Sequence, residues 1–210
     1  MLTIHLMTLG PLQTNCYLVG CDATMNAAII DPAWDGRRIA AAAAERGWTI
    51  THILLTHAHF DHVGGLAELK EMTAAPIYTH AEAAEQLRMA DRAAALWGFQ
   101  LDAPPEPDVL IEEGQVIEVG QLRLEVLLTP GHAPGHVSFY MRDDGVLFDG
   151  DVLFQQGIGR TDLPGGDYAL LMMSIREQIL TLPDETSVYP GHGAPTTVRD
   201  ERELNPWLQD

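Results

Sequence analysis

At 210 residues, 46% hydrophobic and 20% charged, the chain has the composition of an ordinary soluble globular protein and the length for one sizeable core or two small halves. Its 30 acidic and 12 basic residues give a formal charge of −18, a mean field that repels polyanions and argues against a nucleic-acid partner. No run of about 18 apolar residues occurs, and Met1-Leu2-Thr3-Ile4-His5 lacks the basic region and apolar core of a signal peptide, so no membrane span and a cytoplasmic location are expected.

Met1 to Leu9 and Asn15 to Gly20 read as adjacent strands turned at Gly10-Pro11, with Ala27 to Asp31 as a third. Asp35 is placed to cap an alanine-rich helix from Gly36 to Glu45, and Gly47 to stop it. Thr51 to Thr56 reads as a buried strand. It leads into Thr56-His57-Ala58-His59-Phe60-Asp61-His62, which packs three imidazoles and a carboxylate into one short turn. These are the ligands that Zn²⁺ and Fe²⁺ take among nitrogen and oxygen donors. A helix here would put His57 and Asp61 on one face and turn His59 away, whereas a loop can bring all four groups to one point. Gly64 to Met72 follows as a helix with Leu66 and Leu69 inward, then a short strand from Pro76 to Thr79 and a longer helix from Ala81 to about Trp97.

The prolines of Asp102-Ala103-Pro104-Pro105-Glu106-Pro107-Asp108 exclude regular structure, and the segment reads as the joint between two halves. After it, Val116 to Val119 and Leu122 to Leu128 form one predicted hairpin, and Val137 to Met141 and Val146 to Phe148 another. Tyr168, Leu171, Met172, Ile175, Ile179 and Leu182 recur near helical spacing and predict an amphipathic helix. More ligand-type residues stand at strand-to-loop junctions: Gly131-His132-Ala133-Pro134-Gly135-His136, Phe148-Asp149-Gly150-Asp151 and Tyr189-Pro190-Gly191-His192-Gly193. Cys16 and Cys21 are too few for a disulfide framework and wrongly spaced for zinc, so they read as buried free thiols.

In this order the motifs HxHxDH, GHxPGH, GDxLF, GRxD and PGHG resemble those of the metallo-β-lactamase superfamily, and within it the glyoxalase-II-like hydrolases. The resemblance covers nearly the whole chain, including Gly10 to Tyr17 and Ile30-Asp31-Pro32. It implies one α/β domain over residues 1–210 with the four-layer αββα sandwich, its two halves echoed by Leu54-Leu55-Thr56 and Leu127-Leu128-Thr129. It also implies two divalent metal ions per chain, Zn²⁺ or alternatively Fe or Mn. His57, His59 and His132 would hold one ion; Asp61, His62 and His192 would hold the other, with Asp151 bridging. The implied activity is thioester hydrolysis through a metal-bridging hydroxide, with Asp61 and Asp151 orienting it and carrying its proton. The alternative on the same fold is a mononuclear-iron persulfide dioxygenase using His57, His132 and Asp151.

Around these ligands, His136 reads as support for the loop, and Asp31 either fixes the metal loop or merely ends a strand. Asp149 reads as structural, and His5, His52 and His80 lack ligand-like neighbours. Arg160 either pairs with Asp162 in the GRxD element or meets an anionic substrate. Phe154, Phe60 and Ile158 are candidates for an apolar entrance wall, and Tyr140 and Tyr168 could line a pocket or pack. The sequence departs from full-length glyoxalase II in two respects. It ends 18 residues after His192 without the cationic extension that holds glutathione, and it has alanine, Ala133, where GHTPGH has threonine. Lys70 is its only lysine. The partner expected is a small-molecule thioester.

Overall fold

The computed structural model describes residues 1–209. The first six strands, β1 (Leu2–Leu9), β2 (Thr14–Cys21), β3 (Asn26–Ile30), β4 (Thr49–Leu54), β5 (Ile77–His80) and β6 (Val109–Ile111), form one sheet in that spatial order. Pairing is antiparallel from β1 to β3 and parallel from β3 to β6. Parallel neighbours require long crossovers, and these carry α1 (Gly36–Glu45), α2 (Phe60–Val63), α3 (Leu66–Thr73), α4 (Ala81–Leu87) and α5 (Ala90–Leu96).

A second sheet takes β7 (Val116–Val119), β8 (Leu122–Leu128), β9 (Val137–Met141), β10 (Val146–Gly150), β13 (Ser187–Pro190) and β14 (Thr196–Thr197), ordered β14-β13-β10-β9-β8-β7. Between β10 and β13 come a small hairpin, β11 (Leu153–Phe154) with β12 (Gly157–Ile158), and α6 (Tyr168–Ser174), which continues as a π-helical turn over Ile175–Ile179. Helix α7 (Val198–Leu204) closes the described chain.

Three apolar layers separate four layers of structure. Along β2, Cys16 and Leu18 face the helices of the first half, while Tyr17, Val19 and Cys21 face the second sheet. Along β9 and β10, Phe139, Met141, Val146 and Phe148 meet them between the sheets, and Tyr140 and Leu147 turn outward to Leu171, Ile175 and Ile179. A strand's period of two therefore serves two cores at once, which is why these strands are buried on both faces and mostly apolar instead of alternating. The αββα architecture is the expected one. Both cysteines are free and buried, and among the described residues no helix is long and apolar enough to cross a membrane.

The structure differs from the sequence reading in several elements. The helix expected from Ala81 to about Trp97 breaks at Arg88-Met89, where Met89 N–H bonds the Gln86 carbonyl and Ala93 N–H the Met89 carbonyl. The break lets Ala90 and Ala94 bury against the first core, while Leu96 and Trp97 stay 88% and 55% exposed. The proline segment does not join the halves directly. It feeds β6, a strand too short to leave a periodic signal, anchored where Asp108 accepts from Ile77 N–H at 2.8 Å and from Lys70 Nζ at 2.7 Å. The chain crosses between sheets after Ile111.

Strand β14 and α7 also went unread. They are tied to the β11–β12 hairpin by Glu201, a buried carboxylate that accepts from Gln156 N–H, Thr196 Oγ1 and Asn205 Nδ2 at 2.8, 2.5 and 2.8 Å. Glu201→Ala would leave the buried Thr196 hydroxyl and Asn205 amide without this acceptor, and the more exposed Gln156 N–H to water, so a loss of about 2 kcal/mol or more is expected in denaturant unfolding. A loss below about 0.5 kcal/mol would show that water satisfies them instead.

Candidate metal centre

The loop after β4 is held from below by Asp31, the residue just after β3. Its Oδ1 accepts from Thr56 N–H at 2.8 Å, and its Oδ2 from Thr56 Oγ1 at 2.6 Å and from His62 Nδ1 at 2.9 Å. Because the ionised carboxylate only accepts, Thr56 Oγ1 donates to it and must receive the hydrogen of His57 Nδ1, 2.9 Å away. His57 Nε2 and His62 Nε2 are left buried and without a hydrogen-bond partner. One carboxylate thus fixes the tautomers of two imidazoles, as outer partners of metal ligands do. The single helical turn of α2 carries Asp61 and His62, so the segment is neither all loop nor all helix.

The other donors arrive from three further loops. Val137 N–H bonds the Thr56 carbonyl at 2.8 Å, locking the metal loop of the first half to β9 of the second. His132 donates from Nδ1 to the Arg160 carbonyl at 2.8 Å, turning Nε2 toward the centre. The His192 loop is clamped to β2: Tyr17 Oη and Asn15 Nδ2 donate to the Pro190 carbonyl, and Asn15 N–H to that of Gly191. Here Gly191 is obligatory. A Cβ would lie 2.2 Å from Asp151 Oδ1.

Asp151 sits between the histidines. Its Oδ1 is 3.4 Å from His62 Nε2, and its Oδ2 is 3.5 Å from His132 Nε2 and 3.6 Å from His192 Nε2. Asp61 Oδ2, held by Thr14 Oγ1 at 2.8 Å, lies 3.2 Å from His192 Nε2 and 3.6 Å from His62 Nε2. Most of these spacings exceed a hydrogen bond. A tetrahedral ion with bonds of about 2.0–2.2 Å sets its ligands roughly 3.3–3.6 Å apart. The donors of His57, His59 and His132 form one group and those of Asp61, His62 and His192 another. Within the first, His59 Nδ1 and His132 Nε2 stand 2.8 Å apart, at hydrogen-bond distance. Buried nitrogens without partners, spaced as polyhedron edges around carboxylates, fit divalent transition metal.

Electrostatics agree. Burial together with the neighbouring imidazoles holds His57 well below the ordinary histidine value and His59 down to about 3, so both stay neutral and ready to ligate. Burial opposes charge on His62 too, but the Asp151 and Asp61 carboxylates outweigh it and raise that imidazole well above its usual value. Burial likewise opposes ionisation of Asp61, yet His62 holds it down to about 2. The metal-free centre therefore stores a proton on His62 that an ion must displace. Metal affinity should rise about tenfold per pH unit near neutrality, with a proton released in weakly buffered titration. A pH-independent affinity would contradict this account.

Of the remaining residues considered, His136 is not placed to ligate: Thr129 Oγ1 lies 3.0 Å from Nδ1, and Asp151 N–H donates to Nε2 at 3.2 Å, which makes it a support for the Asp151 backbone. Asp149 is buried beneath, its Oδ2 accepting from Leu153 N–H. His80 caps α4 and His5 meets Arg46, as structural histidines do. Asp31 is a hub, not a mere strand end. Tyr140 must be withdrawn as a substrate contact. The pleat of β9 sends it to the outer core, 1% exposed with the Arg142 guanidinium over its ring, and it does not line the cleft.

That cleft, about 640 Å³, opens above the centre, with His59, Asp61, His132, Asp151 and His192 on its floor and Phe60, Phe154, Ile158 and Arg160 on its walls. The sequence pattern of the metallo-beta-lactamase superfamily matches residues 9–192, a span that contains every one of these donors. The chain belongs to the metallo-β-lactamase superfamily. It is 37% identical over 209 residues to the hydroxyacylglutathione hydrolase GloC of Haemophilus influenzae, covering 99% of this chain and 98% of that protein. Among solved structures, BLEG-1, a B3 metallo-beta-lactamase, superposes with a TM-score of 0.93 at 39% identity over 99% of this chain and 100% of that one. TTHA1623 in a di-iron-bound form gives 0.90 at 43% identity over 97% and 100%.

Within this superfamily member, sequence reasoning had assigned no role to Thr14, Asn15, Tyr17 or Thr56, which orient the ligands. Their signal was present: three polar side chains in β2, whose eight residues are all buried, each needing a partner. It had also missed α5 as a wall of the cleft.

Proposed function

We propose that the protein is a two-metal hydrolase of thioesters. The observation that carries this reading is the position of Asp151, whose two carboxylate oxygens face donors of both ligand groups at the floor of a substrate-sized cleft. Bound there, two divalent ions, Zn²⁺ or alternatively Fe or Mn, would supply an activated water and polarise the acyl carbonyl. The protein's own residues do the rest. Thr14 orients Asp61 and the Arg160 carbonyl orients His132. Asp61 and Asp151 would orient the attacking water, and one of the two carboxylates would take its proton and pass it on to the departing thiolate.

Among the described residues no lysine or tyrosine lines the cleft, so a leaving group that departs without protonation suits it. A thiolate does so readily, and an amine does not. This favours thioesters over amide-like substrates, in keeping with the similarity to GloC. A small-molecule thioester as partner and a cytoplasmic site of action complete the proposal. Elemental analysis after reconstitution should give two ions per chain, and a panel of thioesters should be hydrolysed. One iron per chain with oxygen uptake on a persulfide would establish the dioxygenase alternative instead.

A further inference from the structure

The cleft offers little cationic charge with which to grip a glutathione thioester. Arg160 is the one lysine or arginine on its lining, and that guanidinium is already committed: Nε and Nη2 donate to the two Asp162 oxygens at 2.7 and 2.8 Å. Among the described residues no lysine or other arginine lines the cleft to meet the carboxylates of a glutathione moiety. What the lining offers is apolar surface. The break at Arg88-Met89 turns α5 so that Met89, Ala93, Leu96 and Trp97 reach one wall, and Phe154 with Ile158 from the β11–β12 hairpin reaches the other. Met89, Leu96 and Trp97 are 46%, 88% and 55% exposed. Large apolar side chains left open beside a reactive floor mark a ligand surface.

Resting on the hydrolase reading, we infer that the cleft selects thioesters with an uncharged, aliphatic acyl chain, laid along the α5 wall with the carbonyl at the floor. Glutathione is then not the recognised part. Each methylene buried on the wall should raise kcat/KM roughly fourfold, the equivalent of about 0.8 kcal/mol.

The test uses metal-reconstituted protein and acetyl, butyryl and hexanoyl thioesters of N-acetylcysteamine, with S-lactoylglutathione alongside. The expected result is a roughly fourfold rise in kcat/KM per methylene, with S-lactoylglutathione below the hexanoyl compound. In Trp97→Ala the hexanoyl-to-acetyl ratio should fall by about tenfold, as burial on a large apolar side chain predicts. Because Trp97 is exposed, this variant should fold normally. Affinities of S-ethyl, S-butyl and S-hexyl N-acetylcysteamine thioethers, which cannot be hydrolysed, report the wall apart from the chemistry. They should tighten with length in the wild type and much less in Trp97→Ala. Length-dependent thioether binding without hydrolysis of any thioester would overturn the hydrolase reading and leave the apolar subsite standing. Thioester hydrolysis that is flat in chain length, or S-lactoylglutathione saturating at micromolar KM, would overturn the subsite and leave the hydrolase reading standing.

Discussion

Asp151→Asn should lower turnover by about 10³-fold or more, the scale of losing a group that stabilises charge at the reacting centre. It should also cost the protein at least one of its metal ions. The substitution keeps shape and removes charge. In the wild type both carboxylate oxygens point at imidazole nitrogens between 3.4 and 3.6 Å away, and Oδ1 is buried with no hydrogen-bond partner. An asparagine presents one oxygen and one NH₂ to the same surroundings, so on one side two N–H donors would face lone pairs and ions. Of the two anions at the centre, only Asp61 would remain to offset two dications.

The fold should survive this change. The backbone N–H of residue 151 still donates to His136 Nε2, and Gly191 still leaves room for an isosteric side chain. Elemental analysis and thermal unfolding separate the two effects. A variant that keeps two ions and near-normal turnover would show that Asp151 does not bridge.

How much of this was legible beforehand depends on whether the information was local. The ligand-bearing loops carry their residues contiguously, so His57 to His62 announced a cation site at once. The longer strands of the two sheets were readable for a similar reason, since apolar runs bounded by glycine and proline need no partner to be seen, whereas the short β6 and β14 were not. What failed was decided at long range. Nothing within Ala81 to Trp97 marks Arg88-Met89 as a break, because alanine-rich sequence favours helix at every position. The turn is imposed by the first core, which takes Ala90 and Ala94. Tyr140 could not be placed from alternation alone, because β9 is buried on both faces and either face accepts an aromatic ring. The role of Asn15 lay 175 residues away at Pro190.

The second large effect is expected at Asp31, which touches no substrate. Asp31→Ala removes the acceptor of three donors, Thr56 N–H, Thr56 Oγ1 and His62 Nδ1, all buried at the core of the loop. Removing one partner of a buried charged network typically costs 3–5 kcal/mol. The position is also left-handed, at φ 51°, a region an aspartate tolerates better than alanine. Asp31→Asn separates charge from packing. It retains one acceptor oxygen and the same volume, so most of the stability should return, but the amide cannot accept at both ends. Either the NH₂ faces Thr56 N–H, or, flipped, it faces both Thr56 Oγ1 and His62 Nδ1, and Thr56 in turn positions the hydrogen of His57 Nδ1. Both tautomers loosen together. We therefore expect Asp31→Asn to weaken metal affinity by about 10–100-fold, the usual effect of losing an outer partner of a metal ligand. Excess metal should restore much of the turnover, which it cannot do for Asp151→Asn. Should Asp31→Asn bind metal as the wild type does, the coupling of His57 and His62 through one carboxylate would be refuted, whatever its effect on stability.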